Sequence, residues 1–249
     1  MPFFTLVAWS ESEEHHNVLQ NIAAVADQHV ATAGDDVYVP EKVNHLAGYY
    51  ALGATLGNAQ LVSPSLRCVA PDDIEPVDVA VAPVTRPPFH DLFFTPVQLA
   101  TNEALNFLTS NHAAERNYGL AWLSSGPITP VQTQERSIRC TGTTTLTANQ
   151  WSLVPLVYPT TLASGKYQLV GLWAESAHLV AARVVVPNFC YRPGTIGQIV
   201  TSGINPDRHR HGASGVWCEF DSRSPPQVEF LATAADTAET VVLDVAKIS

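Results

Sequence analysis

One short run of the sequence combines residue types that could bind a metal ion or an acidic partner: Asp207-Arg208-His209-Arg210-His211. Alternate residues of a β-strand point to the same face, so on a strand His209 and His211 would lie side by side, as metal ligands do. However, Pro206 and Gly212 flank the run and favour a loop, and no later histidine follows to complete a ligand set. We therefore predict no metal and no cofactor, and His209 and His211 are the alternative metal ligands if the run forms a strand.

The two arginines of this run are better explained as contact residues. Of the 13 basic residues, three are lysines and ten are arginines, and arginine is the preferred basic residue of interfacial ion pairs. We therefore expect Arg208 and Arg210 to meet acidic residues of a neighbouring subunit. A proline-rich segment is the second predicted contact region, and its candidate residues are Pro83, Pro87, Pro88 and Pro96.

The sequence contains no recognisable catalytic motif. His15 and His16 are adjacent, and adjacent helical positions diverge by about 100°, so the two side chains cannot bind one metal from a single face. The run Gly212-Ala213-Ser214-Gly215 does not match the Gly-x-Ser-x-Gly nucleophile motif. No glycine-rich loop ends in the Lys-Ser or Lys-Thr of a phosphate-binding loop. We therefore predict that the protein is not an enzyme.

Four tryptophans suggest a different kind of site, since all lie within or beside predicted strands: Trp122, Trp151, Trp173 and Trp217. Sugar-binding sandwiches display such rings on one sheet face. Core packing is the commoner role of a strand tryptophan, because the ring buries a large area. We predict core packing and keep a sugar-binding face as the alternative.

The composition indicates a protein that associates with copies of itself. Charged residues make up 14% of the chain, against roughly 25% in an ordinary soluble domain. A mean hydropathy of +0.05 leaves few charges to cover a monomer's surface. The net charge of −10, with no basic N-terminal arm, argues against strong nucleic-acid binding. Because 46% of the residues are hydrophobic, the chain is not disordered.

The first part of the chain predicts helical and extended structure. Residues 10–34 begin with a capping signal, Ser10 followed by Glu13, and apolar residues then recur at helical spacing up to Gly34. A second, short helix is predicted from Pro40 to Ala51. Residues 71–96 hold six prolines and predict an extended arm or a long loop. We define residues 1–104 as an N-terminal helical and extended region.

From residue 105 onwards the pattern is that of β-strands separated by Pro and Gly turns. Eight short strands of this kind favour an eight-stranded β-sandwich of jelly-roll type over residues 105–249, in a mainly β protein. The predicted strands are 118–123, 138–146, 151–158, 167–174, 179–186, 216–220, 228–231 and 241–245.

Targeting signals and disulfide patterns are also absent from the sequence. The start has no basic n-region, and its apolar run stops at Ser10, which does not fit a signal peptide. No stretch approaches the ~20 apolar residues of a transmembrane helix. Four widely spaced cysteines suit buried thiols in a reducing compartment. We expect synthesis in a cytoplasm.

Several segments of the predicted sandwich share the character of viral shell proteins: Leu146–Leu156, Ser164–Ser176, Ala181–Pro187, Tyr191–Gly197 and Ala235–Asp244. With them, the stretch from Thr141 to Gly197 resembles the single jelly-roll capsid proteins of small icosahedral viruses and phages. The resemblance lies in the style and order of the strands. It implies a jelly roll that forms the shell wall, with loops or arms that contact neighbouring subunits.

The expected function is that of a virion structural protein, made in the host cytoplasm, which self-assembles into an icosahedral shell. Its expected partners are copies of itself and other virion proteins. Two alternatives remain. One is a receptor-binding or carbohydrate-binding β-sandwich, such as a trimeric spike or fibre head. The other is a cupin-like metalloenzyme, which requires a metal at His209 and His211.

Overall fold

The computed structural model describes residues 3–12, 18–53, 56–68, 90–111, 116–129, 136–187, 189–199 and 215–248. Within these ranges the chain is mainly β, which confirms the predicted class. Two compact units are present. The first unit is Val7–Pro127, and the second unit combines Met1–Leu6 with Ile128–Ser249. No helix in the described ranges is long and apolar enough to cross a membrane.

Ten strands precede residue 128, and all of them belong to the first unit except the start of the first strand, Phe4–Leu6, which belongs to the second. They are β1 (Phe4–Glu11), β2 (Gln20–Asn21), β3 (Thr32–Ala33), β4 (Asp36–Tyr38), β5 (His45–Gly53), β6 (Leu56–Val62), β7 (His90–Asp91), β8 (Val97–Gln98), β9 (Ala104–Asn111) and β10 (Asn117–Ser124). A short 3₁₀ helix, Pro64–Cys68, is the only helix among the described residues.

These strands form two sheets, named here after a central strand. In the β10 sheet the order is β1-β10-β5, and β7 and β8 pair with successive parts of β5. In the β9 sheet, β2, β4 and β6 all pair with β9, and β3 pairs with β4. The Trp9 ring on β1 lies 5.6 Å from the Phe107 ring on β9. Side chains from the two sheets therefore pack against each other in the core of the first unit.

The helix predicted over residues 10–34 is wrong where the chain is described. Ser10 lies in β1, and the described residues from 18 to 34 form two short strands joined by irregular chain. Their backbone groups bond to other segments: the Ile22 N–H donates to the Phe107 carbonyl, and the Val25 N–H donates to the Ala8 carbonyl. Apolar residues at helical spacing are here buried by tertiary packing, which overrides local propensity.

The second predicted helix, over Pro40–Ala51, is also wrong, because its later half is β5. Every residue of β5 after His45 is buried, so the strand reads as a continuous apolar run without the alternation of a half-exposed strand. Such a run cannot be distinguished from a buried helix by periodicity.

The second unit contains nine strands after residue 127. They are β11 (Arg136–Gly142), β12 (Trp151–Val154), β13 (Lys166–Ser176), β14 (Leu179–Val185), β15 (Gly194–Ile196), β16 (Gln198–Ile199), β17 (Cys218–Asp221), β18 (Gln227–Ala232) and β19 (Glu239–Lys247). The β19 sheet has the order β11-β19-β13, with β16 and β17 pairing with β13. The β18 sheet has the order β12-β18-β14-β15.

Each of the eight strands predicted between residues 118 and 245 overlaps a strand of the structure, although those predicted over 138–146 and 151–158 end at Gly142 and Val154. The prediction missed β9, β15 and β16. The strand predicted over 118–123 is β10 and belongs to the first unit, whereas the other seven belong to the second. The proposed boundary between residues 104 and 105 therefore falls inside the first unit, at the start of β9. The described residues before it form β-strands joined by irregular chain and one short 3₁₀ helix, so this part of the chain is not a helical extension of a single β domain.

Candidate functional site

Most of the predicted contact residues lie outside the described ranges. This applies to Arg208, Arg210 and the alternative metal ligands His209 and His211, and equally to Pro83, Pro87 and Pro88. Pro96 is described, and it lies half-buried in the first unit immediately before β8. The two predicted contact regions stay predictions.

The four strand tryptophans pack into the units. Trp122 and Trp217 are fully buried, Trp173 is buried, and Trp151 is half-buried. The Trp217 ring lies edge-on to the Phe4 ring at 5.3 Å, and the Trp122 ring lies edge-on to the Phe93 ring at 6.4 Å. Trp122, Trp173 and Trp217 therefore form hydrophobic core, as the sequence predicted, whereas Trp151 does not belong to the buried core.

A buried charge cluster lies on the β18 sheet. The register of β14 and β18 places Arg183 directly opposite Glu229, and their side chains pair with 2.6 Å between Nε and Oε2. The Arg183 side chain is 1% exposed and the Glu229 side chain is 14% exposed. The guanidinium carbon lies 4.0 Å from the centroid of the Trp151 ring, a cation–π arrangement. Opposite charges and the ring together compensate for removing the guanidinium from water.

The same arginine holds the start of the chain. Its Nη1 donates to the Leu6 carbonyl at 3.2 Å, and the Leu6 N–H donates to the Arg192 carbonyl at 2.9 Å. The Phe3 ring stacks on the Tyr191 ring at 5.3 Å. Hydrogen bonds and aromatic packing therefore fix residues 3–6 to the rest of the second unit. Since a guanidinium does not lose its proton in proteins, this cluster suits a structural clamp and not proton transfer.

Two carboxyl groups near the start of β19 have opposite pKa shifts. Burial, reinforced by the nearby Asp236 carboxylate, raises the pKa of Glu239 to about 7. Its side chain is 2% exposed, and neither carboxylate oxygen accepts a well-formed hydrogen bond from a described residue. Burial also raises the pKa of Asp236, but the N–H groups of Thr237 and Ala177 outweigh this effect and leave that pKa below its ordinary value.

Carboxyl pairs with separated pKa values occur in acid–base catalysis. In this pair the Glu239 oxygens are buried, so a substrate has no access to them. We therefore interpret Glu239 as a pH-sensitive structural group. In the described part of the chain, no group of three or more His, Cys, Asp or Glu side chains could hold a metal ion.

The charge of the protein is divided unequally between the two units. Residues 1–127 contain 14 acidic and 4 basic side chains, whereas residues 128–249 contain nine of each. The entire net charge of −10 thus belongs to the first part of the chain, and the remainder is neutral. The division is seen only when the charged residues before and after residue 127, the end of the first unit, are counted separately.

Comparisons with known proteins give no assignment, because no protein-family model, curated protein or solved structure matches the chain. Interpretation of function therefore depends on strand pairing, burial and charge.

Proposed function

We propose that the protein is a viral capsid subunit that assembles with copies of itself into an icosahedral shell. We propose further that each of its two units is a jelly-roll β-sandwich. In this role the chain is a virion structural protein, made in the host cytoplasm, without catalytic activity or cofactor. The observation that carries the proposal is a strand-pairing rule followed in both units.

A jelly roll can be described as a long antiparallel hairpin of eight strands that folds over on itself. In the hairpin, strand 1 pairs with strand 8, strand 2 with 7, strand 3 with 6 and strand 4 with 5. Folding brings strand 8 beside strand 3 and strand 7 beside strand 4. The result is two facing sheets with the orders 1-8-3-6 and 2-7-4-5.

The second unit has this set of pairings. Its four hairpin pairs are β11 with β19, β12 with β18, β13 with β17, and β14 with β15, all antiparallel. The two folding pairs are β19 with β13 and β18 with β14. The short parallel strand β16 is an addition beside β13.

The first unit follows the same rule with its described strands. β1 is next to β10, β2 and β4 pair with β9, and β7 and β8 pair with β5. The folding pairs are β10 with β5 and β9 with β6. The partner expected beside β6 would follow it in sequence, where residues 69–89 lie outside the described ranges.

Two jelly-roll units in one chain suit a shell. Each unit supplies a rigid wall element whose strands are largely buried, such as β10 with all eight residues buried. The low charge content of 14% fits a surface that is covered by neighbouring subunits. Contacts that repeat around symmetry axes then close the assembly.

Jelly rolls also occur in lectins and cupins, so the test must separate these classes. The full chain should be purified and examined by light scattering and negative-stain microscopy of the same fraction. Closed shells or large rings near neutral pH are the expected result. A monomer at every concentration would contradict the proposal. A discrete trimer that binds glycans would favour a spike or fibre head, and stoichiometric metal would favour a cupin-like enzyme.

A further inference from the structure

The second unit exposes two arginines and an aliphatic side chain at the edge strand β11. We name this surface the β11 patch, and its members are Arg136, Arg139, Thr141, Val157 and Thr160. All five are exposed. β11 is the last strand of the β19 sheet, so nothing beyond it continues the sheet except a single bridge to Val157 among the described residues.

Backbone pairing places three of these side chains on one face. The Thr141 N–H donates to the Val157 carbonyl at 3.2 Å, and the Val157 N–H donates to the Thr141 carbonyl at 2.8 Å. Residues paired in this way present their side chains on the same face, and so do alternate residues of a strand. Arg139, Thr141 and Val157 therefore form a continuous strip.

The arginines of the patch have no carboxylate partner among the described residues. Arg136 donates from Nη2 to the Thr160 hydroxyl at 3.1 Å, and alternation along β11 places it on the opposite face from Arg139. The acid nearest along the face of Arg139 is Asp244, which lies opposite Ser137 on the adjacent strand β19 and accepts a hydrogen bond from the Ser137 hydroxyl at 2.6 Å. Asp244 is only 1% exposed, so among the described residues the exposed charges at this strand edge are positive.

Val157 is 60% exposed, although it is a β-branched aliphatic residue in a protein with few surface charges. Arg139 lies on the same face, and arginine is enriched at protein interfaces because it combines charge with a long apolar stem. The strip therefore combines an exposed apolar side chain with an exposed positive charge, as a docking site needs.

From this arrangement we propose that the β11 patch binds the first unit of a second copy of the chain. The first part of the chain carries the whole negative charge, with 14 acidic against 4 basic side chains, whereas the part bearing the patch is neutral. The positive charge at the β11 edge is complementary to the negative charge of the first unit. The second unit of one copy therefore binds the first unit of the next copy. Such a head-to-tail contact leaves a binding surface free on each copy, so it adds further copies until the assembly closes into a ring or shell.

The inference rests on the proposed self-assembly and adds its contact site. Five residues form only the centre of an interface, since a stable one buries about 800 Å² on each partner. Self-association should weaken as the salt concentration rises, because salt screens the attraction between exposed opposite charges.

The experiment compares Val157→Asp and Arg139→Glu with a control, Ile248→Asp. Ile248 is 44% exposed and follows β19 in the second unit, outside the β11 patch. Self-association of the full chain is measured by sedimentation and light scattering over a range of concentration and salt. We expect both patch variants to associate at least about tenfold more weakly than the unaltered chain, because each loses about one central interface contact. Ile248→Asp should associate normally.

The outcomes separate the two proposals. If the unaltered chain assembles and both patch variants assemble equally well, the β11 patch is not the contact site, and the capsid proposal stands. If the unaltered chain stays monomeric in every condition, the capsid proposal fails and this inference fails with it. Thermal unfolding of each variant shows whether the fold is intact, and Arg139→Glu provides the test should Val157→Asp unfold.

Discussion

Arg183 and Glu229 face each other on neighbouring strands and form an ion pair inside the second unit, with 2.6 Å between Nε and Oε2. The arginine also holds the Leu6 carbonyl, at 3.2 Å from Nη1. One buried guanidinium thus joins two strands of a sheet and the start of the chain. Its removal leaves a carboxylate and a carbonyl without their donor.

Replacing Arg183 by Met should destabilise the protein by about 3 kcal/mol or more, because breaking one side of a buried ion pair leaves an uncompensated charge. Urea unfolding at pH 7 measures the effect. The double variant Arg183→Met, Glu229→Leu should recover part of the loss, since it removes both charges. A loss below about 1 kcal/mol for Arg183→Met alone would show that the pair behaves like an exposed one.

Glu239 should make stability depend on pH between about 4.5, its ordinary pKa, and about 7, its pKa in the folded chain. Over this window the unfolded chain has lost the proton and the folded chain retains it, so stability falls as pH rises. The expected loss is on the order of 2 kcal/mol. Urea unfolding of Glu239→Gln should show little of this change, and the variant should exceed the unaltered chain in stability at pH 8. Equal pH profiles for the two proteins would contradict the prediction.

Gly119 should not tolerate a larger side chain. A Cβ at this position on β10 would collide with the Phe107 ring on β9, which belongs to the facing sheet of the first unit. Gly119→Ala is expected to cost about 1–3 kcal/mol in thermal or urea unfolding, as overpacked cores do. Adding Phe107→Leu should make the alanine less costly than it is alone. Simple addition of the two losses would show that the contact is not the cause.

Cys140 and Cys218 should resist alkylation in the folded protein. Burial raises the pKa of each thiol to about 12, so neither forms a thiolate near neutral pH. Cys190 is exposed. With iodoacetamide at pH 8, peptide mass spectrometry should find Cys190 labelled at least about a hundredfold faster than the buried pair, and the difference should vanish in urea. Rapid labelling of Cys140 or Cys218 in the folded chain would contradict their burial.

Local sequence was sufficient to locate seven of the nine strands of the second unit, but not β15 and β16. Some of the predicted strands alternate buried and exposed residues, as β11 does from Ile138 to Gly142, and others, such as β14, are almost continuously buried. Turns with Pro or Gly separate them. The burial of Trp122, Trp173 and Trp217 followed from the same reasoning, because large rings rarely remain on a surface in a strand-rich protein. Period-two patterns and turn residues act over a few positions, so they can be read without knowing the fold.

The first unit could not be predicted in this way. Residues of β5 are buried on both faces, so its sequence does not alternate between polar and apolar residues. The apolar residues between 18 and 34 have helical spacing, although their backbone hydrogen bonds go to distant segments. The shared pairing rule of the two units was equally hidden, since their sequences show no repeat. The β11 patch also required the structure, because Arg139 and Val157 are 18 positions apart in the sequence and only pairing of Thr141 with Val157 brings them to one face.

By itself, the sequence determined the mainly β class, the approximate positions of eight strands after residue 105 and the low charge content. The tertiary structure decided where the units divide, which strands are neighbours, and which charges are buried or free. The reason is physical. Propensity and periodicity are properties of neighbouring residues, whereas strand order, the Arg183–Glu229 pair and the burial of Glu239 depend on segments that meet only when the chain has folded.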